Sequence, residues 1–191
     1  MADAPDLTAA EQRTLLELAA KSIAHGLENS EPPDPGTGAY PPNLQQLRAT
    51  FVTLHRGGDF QGCIGTLQAH RPLAADVAHN AFAAAFDDPR GHALAEADLA
   101  KLRIDISILS EAVPLEFASE AELLAKLRPG IDGLILRDGF HCGTFLPSVW
   151  EALPKRKDFF DQLKRKAGLP LSHWSETLTV KRYTTAVISN K

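Results

Sequence analysis

An order of elements that occurs twice constrains this chain more than any single residue: a hairpin turning on glycine, then a helix, then a strand. In the first half, residues 49–55 and 60–67 read as strands joined by Arg56-Gly57-Gly58-Asp59. The paired glycines supply the positive φ angles that a tight hairpin turn needs. Pro72 then opens a helix running to about Phe86, at a position where its missing N–H does no harm. That helix is crowded with alanine (Ala74, Ala75, Ala78, Ala81, Ala83, Ala84, Ala85), the best helix former and small enough to lie close to a sheet. Residues 102–109 alternate Ile104, Ile106 and Ile108 with Arg103, Asp105 and Ser107, the pattern of a half-buried strand.

The second half repeats the plan. A short helix over 121–127 precedes strands at 133–137 and 140–146, which flank the hairpin signal Asp138-Gly139. Helical segments follow at 147–153 and 158–167, the latter stopped by Gly168 and Pro170. A last strand covers 177–188, with Leu178, Val180, Tyr183 and Val187 as its apolar positions. The two hairpins echo each other, Phe60-Gln61-Gly62-Cys63 against Phe140-His141-Cys142-Gly143. An internal duplication accounts for this, and chance similarity of two glycine-bearing hairpins is the plainer alternative. Ahead of both halves, Thr8-Ala9-Ala10-Glu11 is a capping box, and Leu15, Leu16, Ala19, Ile23 and Leu27 follow at helical spacing. The proline- and glycine-rich run 31–38 is an exposed loop. The expected organisation is a single α+β domain over 1–191, with a helix at about 8–28 and halves at about 48–110 and 111–189.

Several function classes lose support at this stage. With 44% hydrophobic residues the chain can build a core, but no run approaches the ~20 apolar residues of a membrane-spanning helix. Residues 1–6 lack the basic start and apolar core of a secretory signal, so a cytoplasmic protein is expected. A formal net charge of −4 gives no drive toward nucleic acid. The only basic cluster, 155–157 and 164–166, reads as a solvated face over Phe159, Phe160 and Leu163. No phosphate loop or serine elbow is present. Two cysteines, Cys63 and Cys142, with no CxxC pair, indicate thiols outside disulfides. His141-Cys142 with His55 and Cys63 lacks the local ligand pairs of a zinc site, so neither metal nor other cofactor is expected.

The best candidate site is Gly62-Cys63-Ile64-Gly65. Glycines on both sides of a cysteine let a ligand or another backbone come close. The plainer reading is a small buried residue, since cysteine is often packed inside. With Gly57-Gly58 as a two-residue turn, Cys63 faces Val52 on the side shared with Leu54, and His55 lies on the other side. A Cys–His pair is then not expected, unless a bulge at Gly62 shifts the phase. Asp76, Asn80 and Asp87 fall on one stripe of the second helix and suggest a polar wall, with Arg90 of Asp88-Pro89-Arg90 as an anion clamp. The alternative is a helix end whose arginine pairs with Asp87 or Asp88.

Phe51-Val52-Thr53-Leu54-His55 followed by Gly62-Cys63-Ile64-Gly65 resembles the signature of the AMMECR domain family, whose bacterial members are called protein A of the AmmeMemoRadiSam system. The resemblance continues through Asp88-Pro89-Arg90, Gly133-Leu134-Ile135-Leu136, Phe145-Leu146-Pro147 and Lys166-Ala167-Gly168-Leu169. It departs at Phe60-Gln61, where the family usually has Leu-Arg, and at Gly91, where it usually has an aromatic. It implies two similar halves sharing a barrel-like, largely antiparallel sheet with helices packed outside. It also implies a Memo-like and a radical-SAM partner, and it supplies no reaction. Two functions follow as expectations. One is an accessory or binding module with a ligand or partner cleft at Gly62, Cys63, Ile64, Gly65, Asp88 and Arg90. The other is an enzyme using Cys63 as nucleophile or thiol carrier.

Overall fold

The computed structural model describes residues 6–33, 36 and 40–190; Asp34, Pro35, Thr37 and Gly38 of the expected loop lie outside them. Helix α1 (Ala9–Asn29) begins at the expected capping box: Thr8 accepts from the Glu11 amide, and Glu11 accepts from the Thr8 amide at 2.9 Å. It ends where Ser30 turns left-handed and returns its N–H to the Gly26 carbonyl. After the short α2 (Pro42–Gln45) come β1 (Thr50–Arg56) and β2 (Asp59–Gly65), turning on Gly57 and Gly58 at φ 63° and 100°. Then α3 (Leu73–Phe86), a 3-10 turn (Glu96–Lys101) and β3 (Leu102–Leu109) complete the first hairpin–helix–strand set. The second comprises β4 (Val113–Pro114), α4 (Glu120–Lys126), β5 (Gly133–Asp138), β6 (His141–Phe145), a 3-10 turn (Pro147–Glu151), α5 (Arg156–Lys166), β7 (Thr179–Tyr183) and β8 (Thr185–Ser189).

The mixed α+β class and the repeated order stand, but the barrel does not. There are two separate antiparallel four-stranded sheets, ordered β2-β1-β3-β8 and β4-β7-β5-β6. Read from the hairpin outward the two orders correspond, and the first sheet takes its last strand, β8, from the second half of the chain. β4 follows β3 in sequence yet pairs with β7, and β8 follows β7 yet pairs with β3. The last strand is therefore broken at Thr184 rather than continuous. There the amide of Ser110 donates to the Thr184 carbonyl and the amide of Thr184 to the Ser110 hydroxyl, each at 2.9 Å. The break also changes which residues are inside, since Ile188 is buried and Val187 exposed.

Compact units follow these sheets, one being Ser110–Thr185 and the other running to Leu109 and resuming at Ala186. In the second of these, Leu15, Ala19 and Ile23 of α1 and Val77, Ala78 and Ala81 of α3 pack with Val52, Leu54, Ile104 and Ile106 of the sheet. The polar stripe expected to line a cleft is inside this core. Asp76 Oδ2 accepts from the Thr50 amide (2.9 Å) and hydroxyl (2.7 Å), the Thr66 hydroxyl (2.8 Å) and Asn80 Nδ2 (3.0 Å). Asp76 and Asn80 are buried and Asp87 is exposed, because a buried carboxylate must find donors and α3 takes them from the strand it covers.

In the Ser110–Thr185 unit, Leu134, Leu136 and Val180 pack with Trp150, Phe159, Phe160 and Leu163, and the Trp150 and Phe159 rings stack at 3.8 Å. Its hairpin turns on Gly139 and Phe140, one residue later than expected. Lys164 is not part of a solvated face. It is fully buried against Glu120 (3.0 Å) and Asp161 (3.3 Å), and its Nζ donates to the Leu171 carbonyl. Among the described residues no helix is long and apolar enough to cross a membrane.

Asp76→Ala would leave the Thr50 and Thr66 hydroxyls facing an apolar side chain. It is expected to lower stability by about 3–5 kcal/mol, the usual result of removing one partner from a buried polar cluster. A fall in the urea midpoint without a change of slope is the measurement that checks it.

Candidate functional site

The path of β2 decides which residues can meet. Arg56 faces Asp59 and His55 faces Phe60, as the turn requires, but Leu54 then faces Gly62, Thr53 faces Cys63 and Val52 faces Ile64. Gln61 is thus an extra residue, a bulge one position earlier than the alternative considered for Gly62. The expected register, with Cys63 opposite Val52, is wrong by one from this point. Its cause lies outside the hairpin: Gln61 is buried and its Nε2 donates to the His92 carbonyl at 2.5 Å. An added Cβ at Gly91 would sit 2.5 Å from the Gln61 carbonyl oxygen. The two departures from the family pattern are therefore in contact, and the bare glycine is what admits the bulge.

The phase change turns Cys63 away from the helix-covered core. Its face of the sheet carries Thr53 and His55 from β1 and Asp105, which faces Thr53, from β3. The Thr53 hydroxyl donates to Cys63 Sγ at 3.2 Å. The His55 ring meets Phe60 edge-on at 6.2 Å. His55 Nδ1 is buried and lies 3.6 Å from Asp105 Oδ2, beyond hydrogen-bond distance. His55 thus shares the face of Cys63, contrary to the expectation.

Asp88 and Arg90 come to the same place from the end of α3. The Cys63 amide donates to Asp88 Oδ2 at 2.8 Å, and Arg90 Nη2 donates to the Cys63 carbonyl at 3.2 Å. Arg90 also grips Asp88 with Nε on Oδ1 (2.9 Å) and Nη2 on Oδ2 (2.6 Å), and its guanidinium lies 4.9 Å from the Phe60 ring centre. Both backbone polar groups of Cys63 are thus held by one ion pair. The Asp88 side chain is 1% exposed and that of Arg90 62%, so the pair has one sealed end and one open end. The Arg90 hydrogen bond, with help from the Cys63 amide, holds the Asp88 carboxyl far below the usual carboxylate range despite burial. Arg90 is raised in turn, first by its hydrogen bond to Asp88.

The flanking glycines admit the protein's own atoms. A Cβ at Gly62 would stand 2.1 Å from the Ala84 carbonyl oxygen of α3, and one at Gly65 2.3 Å from the Phe51 ring. Gly143 of the other hairpin is likewise pressed on a helix end, 3.2 Å from the Leu163 carbonyl oxygen. Since Leu136 faces Gly143 as Leu54 faces Gly62, the structural counterpart of Cys63 is Thr144, not Cys142. Ile64 packs against the core, and neither cysteine is in a disulfide. Among the described residues no three His, Cys, Asp or Glu side chains are grouped to hold a metal ion. Thr53, Phe60 and Asp105 escaped the sequence reading because only the bulge brings them to the thiol.

The Asp88 carboxyl titrates lower in the folded chain than the ~3.9 of an unfolded aspartate. Its contribution to stability is therefore complete above that value and is lost as pH falls through the folded-state value. Asp88→Asn is expected to lower the urea midpoint at pH 7, with the gap to the parent protein closing as pH is taken below ~3.9.

Residues 16–188 match the family model described as AMMECR1. A protein of Methanothermobacter thermautotrophicus is 34% identical over 84% of this chain and 83% of its own length. One from Thermococcus onnurineus is 32% identical over 93% and 89%. The crystal structure of an uncharacterized protein from Pyrococcus horikoshii superposes with a TM-score of 0.87 at 28% identity, covering 95% of this chain and 92% of that one. With the family model matching residues 16–188 and the fold in agreement, this chain belongs to the AMMECR1 family.

Proposed function

We propose that this protein is a cytoplasmic binding or accessory module that works through the surface around Cys63. The observation that carries this reading is the Asp88–Arg90 pair, which fixes the Cys63 backbone at both its N–H and its carbonyl and leaves the guanidinium open above Phe60. A half-exposed, pre-ordered guanidinium on an aromatic ring is suited to contact rather than to chemistry, since few rotamers are lost when a partner arrives. The occupants to test are those the family resemblance implies, a Memo-like protein and a radical-SAM protein.

A second reading, a cysteine-dependent enzyme, gains from one observation. The Gln61 bulge sets Thr53, His55 and Asp105 on the thiol's face, and a nucleophilic cysteine needs a nearby base. In this reading Cys63 is the nucleophile or thiol carrier, His55 takes its proton, and Arg90 steadies the resulting charge.

Two measurements separate these. Co-purification with the Memo-like and radical-SAM proteins of the same organism is expected to survive Cys63→Ser and to be lost in Arg90→Glu; retention in Arg90→Glu would remove the binding reading. Alkylation of Cys63 against pH, with Cys142→Ser removing the other thiol, tests the enzyme. An apparent pKa clearly below the ~8.5 of ordinary cysteine would favour it. Slow reaction with an ordinary or raised value would end it.

A further inference from the structure

Away from Cys63, α1 carries a second face beside its core stripe. Its inner stripe, Leu15, Ala19 and Ile23, packs against α3 and the sheet. One turn around, Leu16, Ala20 and Ala24 line a groove between α1, β3 and the end of β8. The groove has two adjoining chambers that share Ala20 and Asn190. The inner, of about 320 Å³, is walled by Ile23, Ala24, Leu99, Leu102 and Ile104. The outer, of about 490 Å³, is bordered by Gln12, Arg13, Glu17 and Ser189. Both volumes lie in the range of small-molecule sites, which are mostly apolar with a few placed polar groups.

The polar groups are unevenly placed. Asn190 sits at the junction, but its side chain is already committed. Oδ1 accepts from the Ile104 amide at 3.0 Å and Nδ2 donates to the Leu102 carbonyl at 3.2 Å. These bonds complete the backbone of β3 and hold the apolar wall in shape without a ligand. Lys21 is then the only charged residue lining the inner chamber, and it makes no hydrogen bond or ion pair among the described residues. Arg13 of the outer chamber is in the same condition, so cations outnumber the single carboxylate, Glu17, along the groove. An apolar chamber with an unmatched ammonium at its mouth complements a molecule with an aliphatic tail and one anionic end.

We infer that this groove binds a short- to medium-chain aliphatic carboxylate, with its tail against Leu99, Leu102 and Ile104 and its carboxylate at Lys21. The tail displaces water from alkyl walls, which drives binding. The head finds the Lys21 ammonium at the mouth of the inner chamber and so fixes direction in the groove.

The native chain titrated with octanoate, and separately with octanol and octylammonium, tests this by NMR of the leucine and isoleucine methyl groups. Octanoate is expected to give saturable shifts at Leu99, Leu102 and Ile104. Octylammonium should bind more weakly, by up to roughly fivefold, the scale of one exposed ion pair gained or lost. Lys21→Glu, on the exposed side of α1, should reverse that preference without altering the fold. Ala24→Phe should fill the inner chamber and abolish the shifts while the rest of the spectrum stays native. Shifts that never saturate, that persist in Ala24→Phe, or that are equal for acid and amine would overturn the inference. So would an octanoate response confined to residues outside the groove.

Discussion

Everything around Cys63 depends on where α3 lies, and a buried carboxylate sets that position. Asp76 accepts four hydrogen bonds on one oxygen, from Thr50 at the start of β1, from Thr66 just past β2, and from Asn80 one turn further along its own helix. Those partners come from three segments, so the network locks the first turns of α3 to the hairpin rather than merely filling a void. The helix, fourteen residues in all, then runs on across the sheet, and its far end presses on Gly62 and releases the chain into Asp88. A displacement of α3 at Asp76 would be felt at the Cys63 amide.

At that far end the ion pair performs a structural task with a polar consequence. Asp88 is sealed, so its charge is matched inside the protein, while Arg90 spends only part of its donor set on Asp88 and Cys63 and keeps an edge toward solvent. A guanidinium has five N–H donors in a rigid plane, so holding one edge orients the other. The thiol has the Thr53 hydroxyl as its donor, on the side of the sheet away from the helices. Packing and presentation are thus combined in one short stretch: Gly62 and Ile64 face the core, and Cys63 between them faces out.

Much of this was legible in the sequence. Periodicity located α1, both hairpins, α3 and β3 within a residue or two, because each of those segments carries its own cap, turn glycines or alternation. The pairing of Asp88 with Arg90 was among the alternatives that residue spacing allowed. What was not legible depends on partners distant in sequence. Gln61 bulges because the 91–92 segment receives it, and a hairpin rule applied to 49–67 has no access to that contact. Alternation likewise shows that residues 178–188 are extended but cannot say which sheet they join. The change of phase between Tyr183 and Ile188 is the only local trace of the crossing. Glycines beside a cysteine left open a ligand or another backbone, and what comes close is the protein's own Ala84 carbonyl and Phe51 ring.

The pairing of β8 with β3 has a consequence for how such a chain matures. In a simple tandem duplication either half could leave the ribosome and close its own sheet before the other was made. Here the outer edge of β3 waits for β8, more than seventy residues later in synthesis, so a nascent chain that has emerged only through Leu109 carries an unpaired strand edge. Long-range pairing of this kind slows folding, because loop-closure entropy must be overcome before the contact stabilises anything. Because its sheet ends on β8, the first half of the chain cannot complete that sheet without the last residues of the second.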